Sequence, residues 1–115
     1  MSKLIQDIKE LGAGLGEFTK LEYGMDEGDW RAAEGTNGNY VIGFWEGKVG
    51  SVEFPETGAD EACWLVEGKV ALTDVNGARK EFSAGQGYLL PKGFAGKWET
   101  IADAKKFYVL LEPQQ

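Results

Sequence analysis

Glu61 is the residue best suited to chemistry in this sequence, because the chain has no histidine and so lacks the commonest metal ligand and general base. Glu61 opens the run EACWLVEG at residues 61–68, where apolar residues follow the acid. A carboxylate can act as a general acid or base when its pocket raises its affinity for a proton. We therefore weigh a catalytic role for Glu61 against a structural one.

A second notable stretch is GQGYLLPKGFAGKWE at residues 85–99. Gly85, Pro91 and Gly93 supply residue types that tight turns require, and strand-like runs stand on both sides of them. Their simplest role is turn geometry alone. A turn of this kind can also position a side chain, and Trp98 follows it closely.

Composition predicts a single domain over residues 1–115, with the 17 glycines distributed along the chain. The net charge, 12 − 19 = −7, argues against nucleic acid and anionic membrane as partners, and solubility explains it most simply. A single cysteine excludes an internal disulfide and a cysteine-based zinc site. Because no apolar run approaches the roughly 18 residues of a membrane span, we expect no membrane partner and a cytoplasmic location.

Short strand-like runs dominate the chain from residue 40 onward. Residues 3–11 have the apolar spacing of a short amphipathic helix, residues 18–23 predict a first strand, and residues 25–39 predict a loop with room for one edge strand. The later runs are YVIGFWEG, KVGSVEF, ACWLVEGKVALTD, ARKEFSA, GYLLP, GKWETI and KKFYVLLE. Asn76-Gly77 predicts a type I′ hairpin. The pattern indicates an all-β antiparallel sandwich or barrel.

Several of these stretches, taken in order, resemble the cupin superfamily. Glu61-x6-Gly68 and Gly85-x5-Pro91-x-Gly93 resemble parts of its two conserved motifs. The finer resemblance is to small, DUF861-like cupins related to the ureidoglycine aminohydrolase cupin domain and the ethanolamine-utilisation cupin protein. It is carried by GFWE at 43–46, DEACWLVEG at 60–68, PKGFAGKWE at 91–99 and KFYV at 106–109. The resemblance implies a jelly-roll barrel with its core at 40–112, preceded by a helix, strand and loop arm at 1–39.

The sequence departs from the cupin motifs at every histidine that would bind metal. The first two histidine positions fall on Pro55 and Thr57, or on Phe54 and Glu56, and the third falls on Gly96. Only the glutamate is kept, as Glu61, so we expect no metal cofactor. Loss of an imidazole at position 96 is expected to open space that an indole could refill.

Strand alternation, combined with the resemblance, predicts which side chains face the barrel interior. Glu61, Cys63 and Trp98 should point inward, Trp64 should point outward, and Glu99 should pair with Lys97 or Lys106 on the surface. The candidate ligand-binding residues are Trp45, Glu56, Glu61, Cys63, Tyr88 and Trp98. Core packing is the alternative role for the aromatic residues, and an inert buried thiol is the alternative for Cys63. An aromatic pocket with one carboxylate suits an amine or polyol.

Three functional hypotheses follow. The first is a small-molecule-binding cupin that takes an amine, an amino-acid-derived metabolite or a sugar-like metabolite. The second is a carboxylate-based enzyme of ureidoglycine- or ethanolamine-type nitrogen metabolism, with Glu61 catalytic and Tyr108 assisting. The third is a structural or interaction module. In each case we expect a homodimer, because an outward Trp64 and its apolar neighbours need cover.

Overall fold

The computed structural model describes residues 2–12, 17–23 and 25–111. Strands make up most of this part of the chain. They are β1 Glu17–Tyr23, β2 Met25–Glu34, β3 Tyr40–Gly47, β4 Gly50–Phe54, β5 Asp60–Asp74, β6 Arg79–Ser83, β7 Gly87–Leu90 and β8 Gly96–Leu111. No helix within the described ranges has the length and apolarity to cross a bilayer.

All the strand pairs are antiparallel, and they form one sheet in the order β1-β2-β3-β8-β5-β6. Two further strands add to this path, since β4 pairs with β8 and β7 pairs with β5. The two longest strands, β5 and β8, pair along almost their whole length. The side chains of the candidate site lie on these two strands and on β2, β3 and β7.

Irregularities in β5 bend the long β5–β8 strand pair. The register between β5 and β8 shifts three times between Leu65 and Val70. Gly68 lies within this segment at a φ of 86°, and a β-carbon there would clash with the backbone of Asp103 and Ala102. Bulges bend a strand and increase its twist. The two halves of the β5–β8 pair can therefore both pack against the core although they run in different directions.

Strand alternation places the apolar core on the inner face. Along β3, residues 41, 43, 45 and 47 are buried, and along β5 Cys63 and Leu65 are buried while Trp64 and Val66 are exposed. Trp98 and Thr100 of β8 are likewise buried. The directions predicted for these β5 and β8 side chains are confirmed, because successive side chains on a strand point to opposite faces.

The helix predicted at the N-terminus is much shorter in the structure. Residues 3–11 contain only a 3₁₀ turn at Ile5–Asp7, and the apolar side chains that suggested the helix, Leu4, Ile5 and Ile8, are exposed. A segment this short forms a stable helix only when it packs against something, and these side chains are not buried against the barrel.

Three other local predictions differ from the structure. Residues 25–34 form a full strand with neighbours on both sides, where a loop with at most an edge strand was expected. The runs GKWETI and KKFYVLLE belong to one strand, β8. The β5–β6 connection is a longer turn in which the Gly77 amide donates to the Asp74 carbonyl at 3.0 Å, instead of a two-residue type I′ hairpin.

Candidate functional site

The Glu61 carboxylate is paired with a lysine inside the barrel. Lys106 Nζ donates to Glu61 Oε2 at 3.1 Å, and the side chains of Lys106 and Glu61 are 9% and 18% exposed. Burial by itself lowers the pKa of Lys106, but the nearby anionic charge of Tyr88 when ionised, and of Glu61, outweighs burial and raises the pKa. The side chain is therefore an ammonium at neutral pH, and Glu61 supplies its counter-charge.

Two tryptophans form the walls around this ammonium group. Lys106 Nζ lies 4.6 Å from the ring centroid of Trp98 and 5.3 Å from that of Trp45. The two indoles meet edge to face, with centroids 5.2 Å apart. Because a cation over an indole face is attracted by the ring quadrupole, the tryptophans and Glu61 together stabilise a charge that burial alone would disfavour.

Cys63 and Tyr88 extend the cluster on the β5–β7 side, where they are cross-strand partners. The Cys63 thiol donates to Glu61 Oε2 at 3.3 Å, and burial raises the pKa of the thiol to about 11. Cys63 is therefore a protonated thiol at neutral pH. The Tyr88 hydroxyl is buried, and burial, with a smaller effect of the adjacent Cys63, raises the pKa of Tyr88. Its hydroxyl has no oxygen or nitrogen partner among the described residues, and the Cys63 thiol is its weak hydrogen-bonding neighbour.

Two acids of β2 complete the polar interior, and they lie in a stretch whose sequence predicts a loop. The Tyr108 hydroxyl donates to Asp29 Oδ1 at 2.6 Å, and burial together with this hydrogen bond raises the pKa of Tyr108. The Trp45 indole N–H donates to Glu27 Oε1 at 2.6 Å. Tyr108 is thus a neutral hydrogen-bond donor, and Glu27 holds one wall of the lysine pocket in place.

The residues at the histidine positions of metal-binding cupins do not fit a metal. A β-carbon at Gly96 would clash with the Thr73 carbonyl oxygen, so the strand backbone fills the third position and the expected open space is absent. Thr57 is engaged with the backbone of the turn at Pro91 and Gly93. The Glu61 carboxylate already binds the Lys106 ammonium. Within the described ranges, no three Asp, Glu or Cys side chains are placed to share a metal ion.

The structure brings together all but one of the predicted site residues. Trp45, Cys63, Tyr88, Trp98 and Tyr108 line or adjoin the Glu61–Lys106 pair. Glu56 lies apart from this group, exposed in the connection between β4 and β5. A carboxylate in that connection is solvated, because no strand directs it towards the interior.

Lys106 is the main site residue that the sequence patterns did not predict, because they placed it on the surface as a partner for Glu99. Glu99 instead lies 3.4 Å from Arg79. The position of Lys106 could have been predicted from strand alternation, because the even-numbered residues of one strand share a face. On one continuous strand, Trp98, Thr100, Ala104, Lys106 and Tyr108 share a face, and all five are buried.

Tyr88 also lies in the wall of an open cavity of about 480 Å³. The ring of Tyr88 stacks on Phe82, with centroids 4.5 Å apart, and Leu90 and Phe94 contribute further apolar surface. Arg79, Lys80 and Asp74 are the charged members of the lining, and Arg79 is ion-paired with Glu81 and Glu99. The cavity thus combines an apolar wall, charged side chains of both signs and a tyrosine whose hydroxyl lies beside the Glu61–Lys106 cluster.

Comparison with known proteins agrees with this architecture. The family model described as the EutQ-like cupin domain matches residues 34–108. No match is found among curated proteins. Among solved structures, ethanolamine utilization protein Q from Salmonella typhimurium LT2 has a TM-score of 0.69 at 19% identity, over 77% of this chain and 72% of that one.

Two further structures show how widely the fold is shared. A DUF861 family protein from Thermotoga maritima has 28% identity and a TM-score of 0.54, over 56% of this chain and 73% of that one. Ectoine synthase from P. lautus has 14% identity and a TM-score of 0.68, over 81% of this chain and 68% of that one. Since the family model spans more than half of the sequence and includes the Glu61–Lys106 pair, the chain belongs to the EutQ-like cupin family.

Proposed function

We propose that this protein binds a small polar metabolite in the cavity beside Tyr88, with the Glu61–Lys106 cluster behind that tyrosine. The supporting observation is the Tyr88 hydroxyl, which is buried and has only the Cys63 thiol, a weak hydrogen-bonding group, as a bonding neighbour among the described residues. Leaving a buried polar group unpaired costs about 1–3 kcal/mol, so such groups in native proteins usually have a role. A ligand oxygen or nitrogen would be a stronger partner for this hydroxyl than the thiol is.

The chemistry of the lining narrows the class of ligand. The place beside Glu61 that a simple amine would take is filled by Lys106, which argues against a monoamine bound only by cation–π contact. The cavity offers apolar rings and three charged side chains, Arg79, Lys80 and Asp74. Arg79 is ion-paired with Glu81 and Glu99, whereas Lys80 makes no ion pair within 4 Å to a described residue. A compact molecule with an apolar body, hydrogen-bonding groups and one acidic group for Lys80 suits this lining. An amino-acid-derived metabolite meets all three conditions, and a sugar acid meets them with less apolar contact.

The relatives are compatible with a nitrogen-containing ligand. One neighbouring structure is an ethanolamine utilization protein and another is an ectoine synthase, and both names concern small nitrogen compounds. These identities are below 25%, so the likeness supports the fold and adds only a direction for choosing ligands. The cavity volume of about 480 Å³ lies within the range of small-molecule sites.

An enzyme that uses Glu61 with Tyr108 is the alternative, and the contacts of these two side chains favour it less than binding. The Glu61 carboxylate accepts hydrogen bonds from Lys106 and Cys63, and the Tyr108 hydroxyl donates to Asp29. The pKa of the Cys63 thiol is raised by burial, so the thiol is protonated at neutral pH. These groups satisfy one another by hydrogen bonds and can orient a ligand without exchanging protons with it.

The sharpest test is Tyr88→Phe, which removes only the hydroxyl. Without ligand, this variant should be as stable as the wild type or about 1 kcal/mol more stable, because it removes an unpaired buried oxygen. Its affinity for any ligand found in a thermal-shift panel of amino-acid derivatives, hydroxy acids and sugar acids should fall about tenfold. Glu56→Gln, at the exposed carboxylate, is the control and should bind like the wild type.

Two results would contradict the proposal. One is the absence of stabilisation by every member of the panel at millimolar concentration. The other is a Tyr88→Phe protein that binds the ligand as well as the wild type. Turnover of a bound compound that Glu61→Gln abolishes would instead support the enzymatic alternative.

A further inference from the structure

The cavity beside Tyr88 lies between two edge strands, β6 and β7. Within the part of the chain that the structure describes, each of them pairs with β5 alone. The lining takes Lys80 and Phe82 from β6, and Leu89 and Leu90 from β7. A strand with one neighbour leaves the N–H and C=O of every second residue without a sheet partner. The cavity therefore borders main-chain groups that can pair with a ligand.

The hydrogen bonds of β7 place the main chain of Leu89 on the free edge of that strand. The Leu65 N–H donates to the Gln86 carbonyl at 2.9 Å, and hydrogen-bonded pairs alternate along antiparallel strands. Cys63 and Tyr88 are therefore the next such pair, and the N–H and C=O of Leu89 point away from β5. The Leu89 side chain lies on the face opposite that of Tyr88, so its main chain is what reaches the cavity wall.

Strand β6 directs one cationic side chain towards the cavity. Lys80 is the cross-strand partner of the buried Leu72, so its side chain lies on the inner face of the sheet. Its neighbour Arg79 points to the other face, where the guanidinium is ion-paired with Glu81 and Glu99. The cationic group that β6 offers to a ligand is therefore the Lys80 ammonium.

The acid of the lining does not neutralise this lysine. Asp74 Oδ1 accepts from the main-chain N–H groups of Asn76 at 2.8 Å and Ala78 at 3.0 Å, which holds the carboxylate in the β5–β6 turn. Lys80 makes no ion pair within 4 Å to any residue that the structure describes. A ligand carboxylate would supply its counter-charge through a charge-assisted hydrogen bond.

These features together define a ligand class. The free edge of a strand pairs with an extended amide, as in strand addition, and Phe82, Leu90 and Phe94 offer apolar surface to a side chain. Resting on the proposed function, we propose that the cavity binds an N-acyl α-amino acid. Its amide pairs with the main chain of Leu89, and its carboxylate pairs with the Lys80 ammonium.

The test is isothermal titration calorimetry of the full chain with N-acetyl-leucine at neutral pH and physiological ionic strength. Two analogues each remove one interaction. N-acetyl-leucinamide lacks the carboxylate, and 2-acetoxy-4-methylpentanoate has an ester oxygen in place of the amide N–H. We expect saturable binding of N-acetyl-leucine and about tenfold weaker binding of each analogue. Binding of either analogue as tightly as N-acetyl-leucine would overturn the proposal.

A proline at position 89 tests the main-chain contact from the side of the protein. Leu89→Pro removes an N–H that β5 does not use, and proline is tolerated at such edge positions, so the variant should fold and bind N-acetyl-leucine at least about tenfold more weakly. Leu89→Ala keeps the N–H and should bind within about threefold of the wild type. A folded Leu89→Pro protein with wild-type affinity would overturn the proposal. The ester analogue tests the same contact in the wild type if this variant does not fold.

Lys80→Gln tests the ion pair. This variant should bind N-acetyl-leucine about fivefold more weakly and N-acetyl-leucinamide as the wild type does, because the amide has no charge for Lys80. Lys97→Gln on β8 makes the same charge change outside the cavity lining and should bind N-acetyl-leucine within about twofold of the wild type. Equal weakening by the two variants would show a general charge effect and would overturn the assignment of Lys80.

The thermal-shift panel separates failure of this ligand class from failure of the proposed function. If a hydroxy acid or a sugar acid binds and Tyr88→Phe weakens its binding, while N-acetyl-leucine does not bind, the proposed function holds and the N-acyl amino acid is the wrong ligand class. If neither N-acetyl-leucine nor any member of the panel binds, both are wrong.

Discussion

The carboxylate of Glu61 and the ammonium of Lys106 form a buried ion pair 3.1 Å long, enclosed by two indole rings. In metal-binding cupins the corresponding glutamate would serve a metal cation. Here a lysine of the same chain supplies the positive charge, so the ion pair is part of the folded core as well as of the site.

Removing the lysine from this pair should be strongly destabilising. Lys106→Met leaves the Glu61 carboxylate buried without its counter-charge, and we expect a loss of about 3–5 kcal/mol in the free energy of unfolding by urea. The matched control is Lys105→Met on the same strand, whose pair with Glu67 is exposed, at a cost of less than about 1 kcal/mol. If both variants lose a similar amount of unfolding free energy, breaking the buried pair is no more destabilising than breaking the exposed one.

Restoring a histidine at the third metal position should damage the protein instead of creating a metal site. A β-carbon at Gly96 meets the Thr73 carbonyl oxygen, so Gly96→Ala should cost about 1–3 kcal/mol and Gly96→His more. Neither variant should gain affinity for Mn²⁺ in a titration. Gly58→Ala is the control, because a β-carbon there has no neighbour within 4 Å and stability should change by less than about 0.5 kcal/mol. A stable Gly96→His protein that binds Mn²⁺ would refute this view of the position.

The stability of the protein should fall as the pH rises above about 9. The pKa of Cys63 is raised from 9.0 to about 11 and that of Tyr88 is raised from 10.0, so the unfolded chain releases these protons first. The pKa of Lys106 is raised from 10.5 in the folded state. Its contribution to the free energy of unfolding is therefore fully present below pH 10.5 and is lost as the pH rises further. For each proton that the folded state holds and the unfolded state has released, the free energy of unfolding falls by about 1.4 kcal/mol per unit increase in pH.

Urea denaturation at pH 8, 9, 10 and 11 measures this loss. Cys63→Ala should show a shallower decline than the wild type between pH 9 and 10, because the first of the titrating groups is gone. A midpoint that stays constant from pH 8 to 11 would contradict the raised pKa values.

The exposed apolar face of the barrel should mediate a homodimer. Trp64, Val66 and Leu89 are 54%, 57% and 59% exposed and lie on the neighbouring strands β5 and β7, and monomers seldom leave such patches open. Trp64→Lys should convert the dimer to a monomer in sedimentation velocity runs at about 20 µM protein. Val75→Lys, which replaces an isolated exposed residue in the β5–β6 turn, should not. A monomeric wild type under these conditions would rule out the dimer.

Much of the site could be predicted because it depends on strand alternation and on short motifs. The inward direction of Cys63 and Trp98 and the outward direction of Trp64 follow from the two-residue period of a strand once each strand is recognised. Lys106 was not predicted because the same alternation was not extended far enough along the chain. The sequence between GKWETI and KKFYVLLE suggested a break, so the alternation was not carried from Trp98 to residue 106 through β8.

The acids of β2 could not be found in this way. Glu27 and Asp29 stand in a stretch rich in glycine and charge, which has little intrinsic preference for a strand. Pairing with β1 and β3 makes it a strand, and that pairing brings Glu27 to Trp45 and Asp29 to Tyr108. Tertiary pairing here overrides local propensity.

The amino-acid sequence by itself determined the all-β class, the cupin family and the absence of the histidine ligands, because these follow from residue types, turn residues and spacings along the chain. Only the tertiary structure decided what replaced the histidines. Backbone fills the space at Gly96, and the ammonium group of Lys106, 45 residues beyond Glu61, supplies the cation. Contacts between residues so far apart depend on strand register and bulges, which place the side chains in space and leave little trace in local sequence.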